Sequence, residues 1–146
     1  MGRVLPTTCR ARCGRMLDIK EVTENIFKLD NRIRYVAILN PRYDLLESRM
    51  REGVSSLTPA QTDRDFMKMA APLMIDSAEK LRPFCGGMRR LTIRYDKVFI
   101  AMYRTALHLL ILSLETNVEQ ELLDQIGNAV RKLELDIAKD EEEVSG

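Results

Sequence analysis

The side chains able to do chemistry are few and scattered. The 146-residue chain holds three cysteines and one histidine. Cys9 and Cys13, with three residues between them, have the spacing of half a zinc site. A closed tetrahedral site needs a second ligand pair, and only Cys85 and His108 remain, far apart in sequence. No metal site is therefore expected, and the cysteines read as two tail thiols and one buried one. His108 stands alone at the head of an apolar segment, where a histidine is more often structural than catalytic. Gly86-Gly87 follows a helical segment rather than opening one, so it is no phosphate loop. Neither a Gly-x-Ser-x-Gly elbow nor a His-Glu-x-x-His helix occurs. Asp63 and Asp65 fall in a helix's first turn, where carboxylates favour the dipole. The reading is a protein without catalytic, cofactor-binding or metal-binding residues, and not an enzyme.

What remains is recognition chemistry. Eight methionines are many for this length. Met67, Met69 and Met74 crowd one segment, where they can fill a core or form a pliable contact surface. Met74 shares the apolar stripe of that segment, whereas Met67 and Met69 lie partly off it and are the better surface candidates. Arg89, Arg90 and Arg94 flank an alternating segment, where they could bind phosphate. They read first as a solvated edge that discourages sheet aggregation, unless that edge pairs in a dimer. The candidate dimer or partner interface is thus Met67, Met69, Met74, Arg90, Thr92 and Arg94.

The elements that must position these residues follow from periodicity. Ile19, Val22, Ile26 and Leu29 share one helical face, with Asp18 and Glu21 at capping-box spacing. RIRYVAIL, residues 32–39, is a strand apolar on both faces: Tyr35, Ala37 and Leu39 point one way, Val36 and Ile38 the other. Asn40-Pro41 then forces a turn, and residues 43–50 return as a more polar strand near an edge. Thr58-Pro59-Ala60-Gln61 marks a helix start. Phe66, Ala70, Leu73, Met74, Ala78 and Leu81 follow at helical spacing, with Pro72 imposing a kink or a split. Pro83 and Gly86-Gly87 end the helix. Residues 88–95 alternate Leu91, Ile93, Tyr95 against Arg90, Thr92, Arg94, as an edge strand with one wet face does. Two more strands, at 98–103 and 108–115, are joined by a short connection; the second is apolar on both faces. Thr116 with Glu119, or Asn117 with Gln120, caps a last helix whose stripe is Val118, Leu122, Ile126, Val130, Leu133 and Ile137.

This order, α-β-β-α-β-β-β-α, predicts an α+β domain: one five-stranded antiparallel sheet with helices on both faces. The two doubly apolar strands, 32–39 and 108–115, pair at its centre. The net charge of +1 is uneven. A basic tail at 1–15, carrying Arg3, Arg10, Arg12 and Arg15, precedes the domain at 16–139. An acidic tail at 140–146 follows, and its acids oppose the dipole of the last helix, so that end is expected to fray. A near-neutral body argues against a dedicated nucleic-acid domain; contact of the Arg-rich first residues with RNA or DNA is the weaker option. No apolar run is long enough to span a bilayer and no signal-peptide core appears, so a cytoplasmic protein is expected, without membrane contact.

Over residues 18–139 this order and burial pattern resemble the roadblock/LC7 proteins, the dynein-light-chain group that includes partners of small GTPases. They are also similar to the profilin-like and longin-like folds. The stretch SRMREGVSSLTPAQ, residues 48–61, is similar to one in small archaeal proteins to which no activity attaches. The roadblock resemblance implies a homodimer in which the middle helix packs on its twin and the third strand pairs edge to edge with its twin. Here those are Thr58–Arg82 and Met88–Tyr95. The chain departs from that group in Pro72, in its basic first 15 residues and in a longer last helix. The implied function is a non-enzymatic dimeric interaction or scaffold module, with a small GTPase as one partner. The alternative is a small-molecule sensor of profilin-like build, with a pocket under the kinked middle helix lined by Met and Phe.

Overall fold

A computed structural model describes the backbone of residues 19–145 and the side chains of residues 19–132. Helix α1 covers residues 19–29. It is followed by β1 (Ile33–Leu39), β2 (Leu45–Met50), the middle helix α2 (residues 60–85), β3 (Leu91–Arg94), β4 (Phe99–Arg104), β5 (Leu109–Leu114) and α3 (Gln120–Ser145). The strands form one antiparallel sheet in the order β2-β1-β5-β4-β3. The two doubly apolar strands are its centre, with Val36 opposite Leu112 and Ile38 opposite Leu110. The other three strands are placed by hairpins, which leaves β2 and β3 at the edges.

Alternation along β1 and β5 sends side chains into two separate cores. Val36, Ile38, Leu110, Leu112 and Leu114 pack against Val22 and Ile26 of α1 and Leu122, Ile126 and Val130 of α3. Ala37, Leu39, Leu109 and Ile111 pack against Met67, Ala71 and Ile75 of α2. Tyr103 seats α3 on the first core. Its hydroxyl donates to the Leu123 carbonyl at 2.9 Å, and burial pushes its phenol above the usual range. Gly127 permits that close approach, since a Cβ there would lie 3.3 Å from the Tyr103 ring.

The β1–β2 hairpin turns on Asn40. Its side-chain oxygen accepts from the backbone N–H of Arg42 at 2.9 Å and of Asp44 at 3.0 Å, a short polar side chain standing in for backbone. Tyr43 is thereby held at φ 68°, the left-handed region that a non-glycine residue rarely adopts. Its hydroxyl donates to Asp76 of α2 at 2.8 Å, and Arg104 of β4 donates to that hydroxyl at 3.2 Å.

Two arginines bind the start of the sheet. Arg32 forks onto both oxygens of Asp30 at 2.8 Å and reaches the carbonyl of Asn117 and the carboxylate of Glu119 ahead of α3. Arg51, just past β2, donates to the carbonyls of Phe27, Asp30 and Ile33 at 2.6–2.7 Å and stands 5.1 Å from the Phe27 ring. It thus satisfies a carbonyl at the C-terminus of α1, which helix geometry leaves without a partner.

Helix α2 differs from a regular helix in the way Pro72 requires. Ala60–Asp65 is α-helical, Phe66–Ala70 forms a π turn, and Ala71–Ala78 resumes the α-helix with Pro72 in its first turn. Pro72 offers no N–H and crowds the carbonyl four residues back; the wider turn absorbs both defects without breaking the helix. A 3₁₀ turn, Glu79–Leu81, and a last short turn, Arg82–Cys85, lead to Gly86 at φ 87°, where glycine ends the helix freely.

Several expectations are corrected. The buried stripe of α2 is Met67, Ala71 and Ile75, whereas Leu73 and Leu81, placed on the core stripe from periodicity, are 70% and 60% exposed. Met67, Ala71 and Ile75 are themselves at helical spacing of four, and Leu73 lies on the far side of the helix from them. Pro59, not Thr58, is the residue before the first helical turn, and the Thr58 hydroxyl bonds the Asp63 side chain instead. Cys85 is exposed rather than buried. Helix α3 begins at Gln120 and continues to Ser145, through the acidic run expected to fray, since Glu, Lys and Ala are strong helix formers. Asp18, the expected cap of α1, the basic residues 1–15 with Cys9 and Cys13, and the side chains of Leu133 and Ile137 lie outside the described residues.

Leu112→Ala removes a fully buried side chain at the sheet centre and is expected to cost about 2–5 kcal/mol in urea unfolding. Leu73→Ala, at an exposed position, should cost under about 0.5 kcal/mol in the same assay. A second test concerns acid. The side-chain hydrogen bond from Arg32 is the main force that pulls the Asp30 carboxyl down to about 2 from 3.8. Because the folded value lies below the unfolded one, its contribution is complete above about pH 4 and is lost as the pH falls toward 2. Urea midpoints measured from pH 5 to pH 2 should fall less steeply for Asp30→Asn than for the unaltered chain.

Candidate functional site

The outer side of α2 carries four large apolar side chains that cover nothing. Met69 is 69% exposed, Leu73 70%, Leu81 60% and Phe84 85%. They run along the helix for about 22 Å, taking 1.5 Å per residue. An apolar line of that length on a folded surface marks a contact site more often than it stands idle. Beside it, β3 pairs with β4 alone, Leu91 through Arg94 opposite Met102 through Phe99, so its other edge presents unpaired backbone groups. Leu91 and Ile93 pack toward the core beneath α2, while Thr92 and Arg94 are exposed on the opposite face.

The six residues chosen from sequence divide accordingly. Met69 belongs to the exposed line. Met67, expected at the surface, is instead buried at 7% exposure on the sheet side of the π turn, four residues ahead of the buried Ala71. Met74 is half-buried against the α2-side core. Thr92 and Arg94 lie on β3. Arg90 is less free than an edge arginine would be, since it pairs with Asp124 of α3 at 2.5 Å. The structure therefore groups Met69 with Leu73, Leu81 and Phe84. Periodicity admits two apolar stripes on this helix, one with Leu73 and Leu81 and one with Met67, Ala71 and Ile75, and the structure buries the second.

A second feature lies inside. Between the N-terminal half of α2 and the sheet is a cavity of about 360 Å³. Phe66 and Met67 form its roof, and Tyr35, Ile100, Ile111 and Ser113 its floor. It occupies the place foreseen for a pocket beneath the kinked helix. Burial of Tyr35 pushes its phenol upward.

Among the described residues, no cluster of three or more His, Cys, Asp or Glu side chains could hold a metal ion. His108 lies in the β4–β5 turn, where its N–H donates to the Thr105 hydroxyl at 3.0 Å and its carbonyl accepts from the Thr105 N–H at 2.9 Å. Lys68 pairs with Asp44 at 2.9 Å and Arg104 with Asp76 at 3.8 Å, two links between α2 and the sheet. No helix of the described residues is long and apolar enough to cross a membrane.

No family model matches the sequence, and no curated protein matches it. Solved structures do. The gliding protein MglB from Thermus thermophilus superposes with a TM-score of 0.66 at 13% identity, over 84% of this chain and 90% of that one. A structure of MglB with tetrameric arrangement gives 0.63 at 14% identity, over 90% of each chain. A roadblock/LC7 domain from Streptomyces avermitilis gives 0.52 at 9% identity, over 82% of this chain and 93% of that one. At such identities the likeness concerns the fold: this chain has the roadblock/LC7-like fold, as its element order implies.

Proposed function

We propose that this chain is a non-enzymatic protein-interaction module that works as a homodimer and takes a small GTPase as partner. The observation that carries the reading is the exposed line Met69, Leu73, Leu81 and Phe84 beside the open edge of β3. These are the two elements through which the roadblock resemblance implies self-pairing. A helix face packed on its twin buries the apolar line, and an edge strand paired with its twin satisfies the ladder. One of the fold's neighbours, MglB, has been solved in a tetrameric arrangement, which is consistent with self-assembly. Pro72 does not oppose the packing. It sits in the first turn of Ala71–Ala78, and the π turn keeps the helix continuous, so Leu73 and the residues beyond it remain available on the outer side. The GTPase rests on the resemblance alone and is the class of partner to test first.

Multi-angle light scattering at micromolar concentration should give twice the chain mass. Leu73→Asp with Phe84→Asp should weaken the dimer roughly tenfold or more, because central apolar residues dominate such contacts, while leaving the melting temperature of the fold close to that of the parent. A monomer at every concentration would overturn the homodimer. For the partner, the dimer should bind a small GTPase with different affinities in its GDP and GTP-analogue states; equal or absent binding across a panel of such proteins would remove that part of the reading.

A further inference from the structure

The cavity beneath α2 goes beyond a partner surface, and its origin is visible in the register. On the α2 side of the sheet one cross-strand row runs Tyr35, Ser113, Ile100, Ile93 across β1, β5, β4 and β3. The next row runs Ala37, Ile111, Met102, Leu91. The second row is covered tightly: Ala37 and Met102 are fully buried, as are Ala71 and Ile75 of α2, which belong to the same core. The first row has a serine at its centre, flanked by larger side chains. Above it stands the opening stretch of α2, Ala60–Asp65, which buries no residue of its own. A helix segment placed over a sheet without burying anything roofs a void rather than a core.

The π turn shapes that void. It begins at Phe66, and Phe66 and Met67, adjacent in sequence, both line the cavity. Turns of this kind recur at binding sites because they re-aim side chains without breaking the helix. At about 360 Å³ the space falls within the range of small-molecule pockets.

The lining also restricts the charge of an occupant. Arg34 is engaged by Glu115 at 2.8 Å and by the Ser55 carbonyl at 3.1 Å. Asp63 accepts from the Thr58 hydroxyl. With both ionised groups satisfied by the protein, a charged ligand would lose its hydration without gaining a counter-charge. The hydroxyls of Thr62, Tyr95 and Ser113 stand on the lining to orient a ligand, amid Tyr35, Phe66, Met50 and Ile111. We infer that the cavity between α2 and the Tyr35–Ser113–Ile100 row is a binding site for an uncharged, largely apolar small molecule with a ring system, of roughly twenty non-hydrogen atoms.

N-phenyl-1-naphthylamine, a neutral aromatic probe whose fluorescence rises on leaving water, tests this with the full chain. The expected result is saturable binding of one probe per chain, with a melting temperature that rises with probe concentration as ligand binding to the folded state requires. Ser113→Phe places a ring in the centre of the row and should weaken probe affinity at least tenfold. Ile100→Phe, at a half-buried position on the floor, should do the same and decides the matter if the first variant does not fold. Leu73→Asp, on the outer side of α2, should bind the probe as the parent does, and it reports separately on the partner face. The inference is overturned by non-saturable binding, by a melting temperature that the probe leaves unmoved, by folded cavity-filling variants that bind as the parent does, or by loss of binding in Leu73→Asp, which would place the probe on the exposed line.

Discussion

The sheet has two central strands that are apolar on both faces, and a strand of that kind can exist in water only if both faces are covered. Val36, Ile38, Leu110 and Leu112 on one side, and Ala37, Leu39, Leu109 and Ile111 on the other, are each at most 4% exposed. Removing so much apolar surface from water is the main favourable term available to a chain of this size. The rest of the architecture answers that demand. Helices α1 and α3 cover one face and α2 the other, while β2 and β4 pair with the outer edges of the central strands. The polar anchors serve the same end. Arg51 and Arg32 fasten the α1–β1 junction and the approach to α3, so that both helices lie on the first core.

The second core had a harder problem. One helix must cover a face that two helices cover opposite, and it carries a proline at its middle. The π turn keeps the backbone continuous. Met67, Ala71 and Ile75 face inward at steps of four, and Leu73, on the far side of the helix from Ile75, stays in solvent. The stretch before the turn does not settle onto the sheet, and the stretch after it presents apolar side chains outward.

Much of the fold was legible in the sequence because the strands obey a period of two along most of their length; a bulge between Ile33 and Tyr35 breaks it and turns Ile33 to the side of Val36 and Ile38. Tyr35, Ala37 and Leu39 against Val36 and Ile38, and Leu91 and Ile93 against Thr92 and Arg94, lie on the faces that simple alternation assigns them. The Asn40-Pro41 turn was legible for a different reason: proline restricts its neighbour regardless of context. Helix α2 defeated the same method, since it is apolar on two sides and periodicity does not say whether Met67, Ala71 and Ile75 or Leu73 and Leu81 face the sheet. The arginine anchors were hidden for a third reason. Arg51 reaches carbonyls 18 to 24 residues away, and Arg32 reaches Glu119 across 87, contacts that no local pattern encodes.

The candidate site shows where sequence reading stops being informative. Met69 was selected on residue type and off-stripe position, and it is exposed. Met67 was selected on the same grounds and is buried, so residue type carried no discrimination; phase did. Leu73 and Leu81 were assigned inward, yet at their observed exposures they contribute little to covering the sheet. Polar side chains at those positions would serve the core equally well and solubility better. The exposures of Leu73 and Leu81 set the outer side of α2 apart from the side that holds Ala71 and Ile75, which is fully covered.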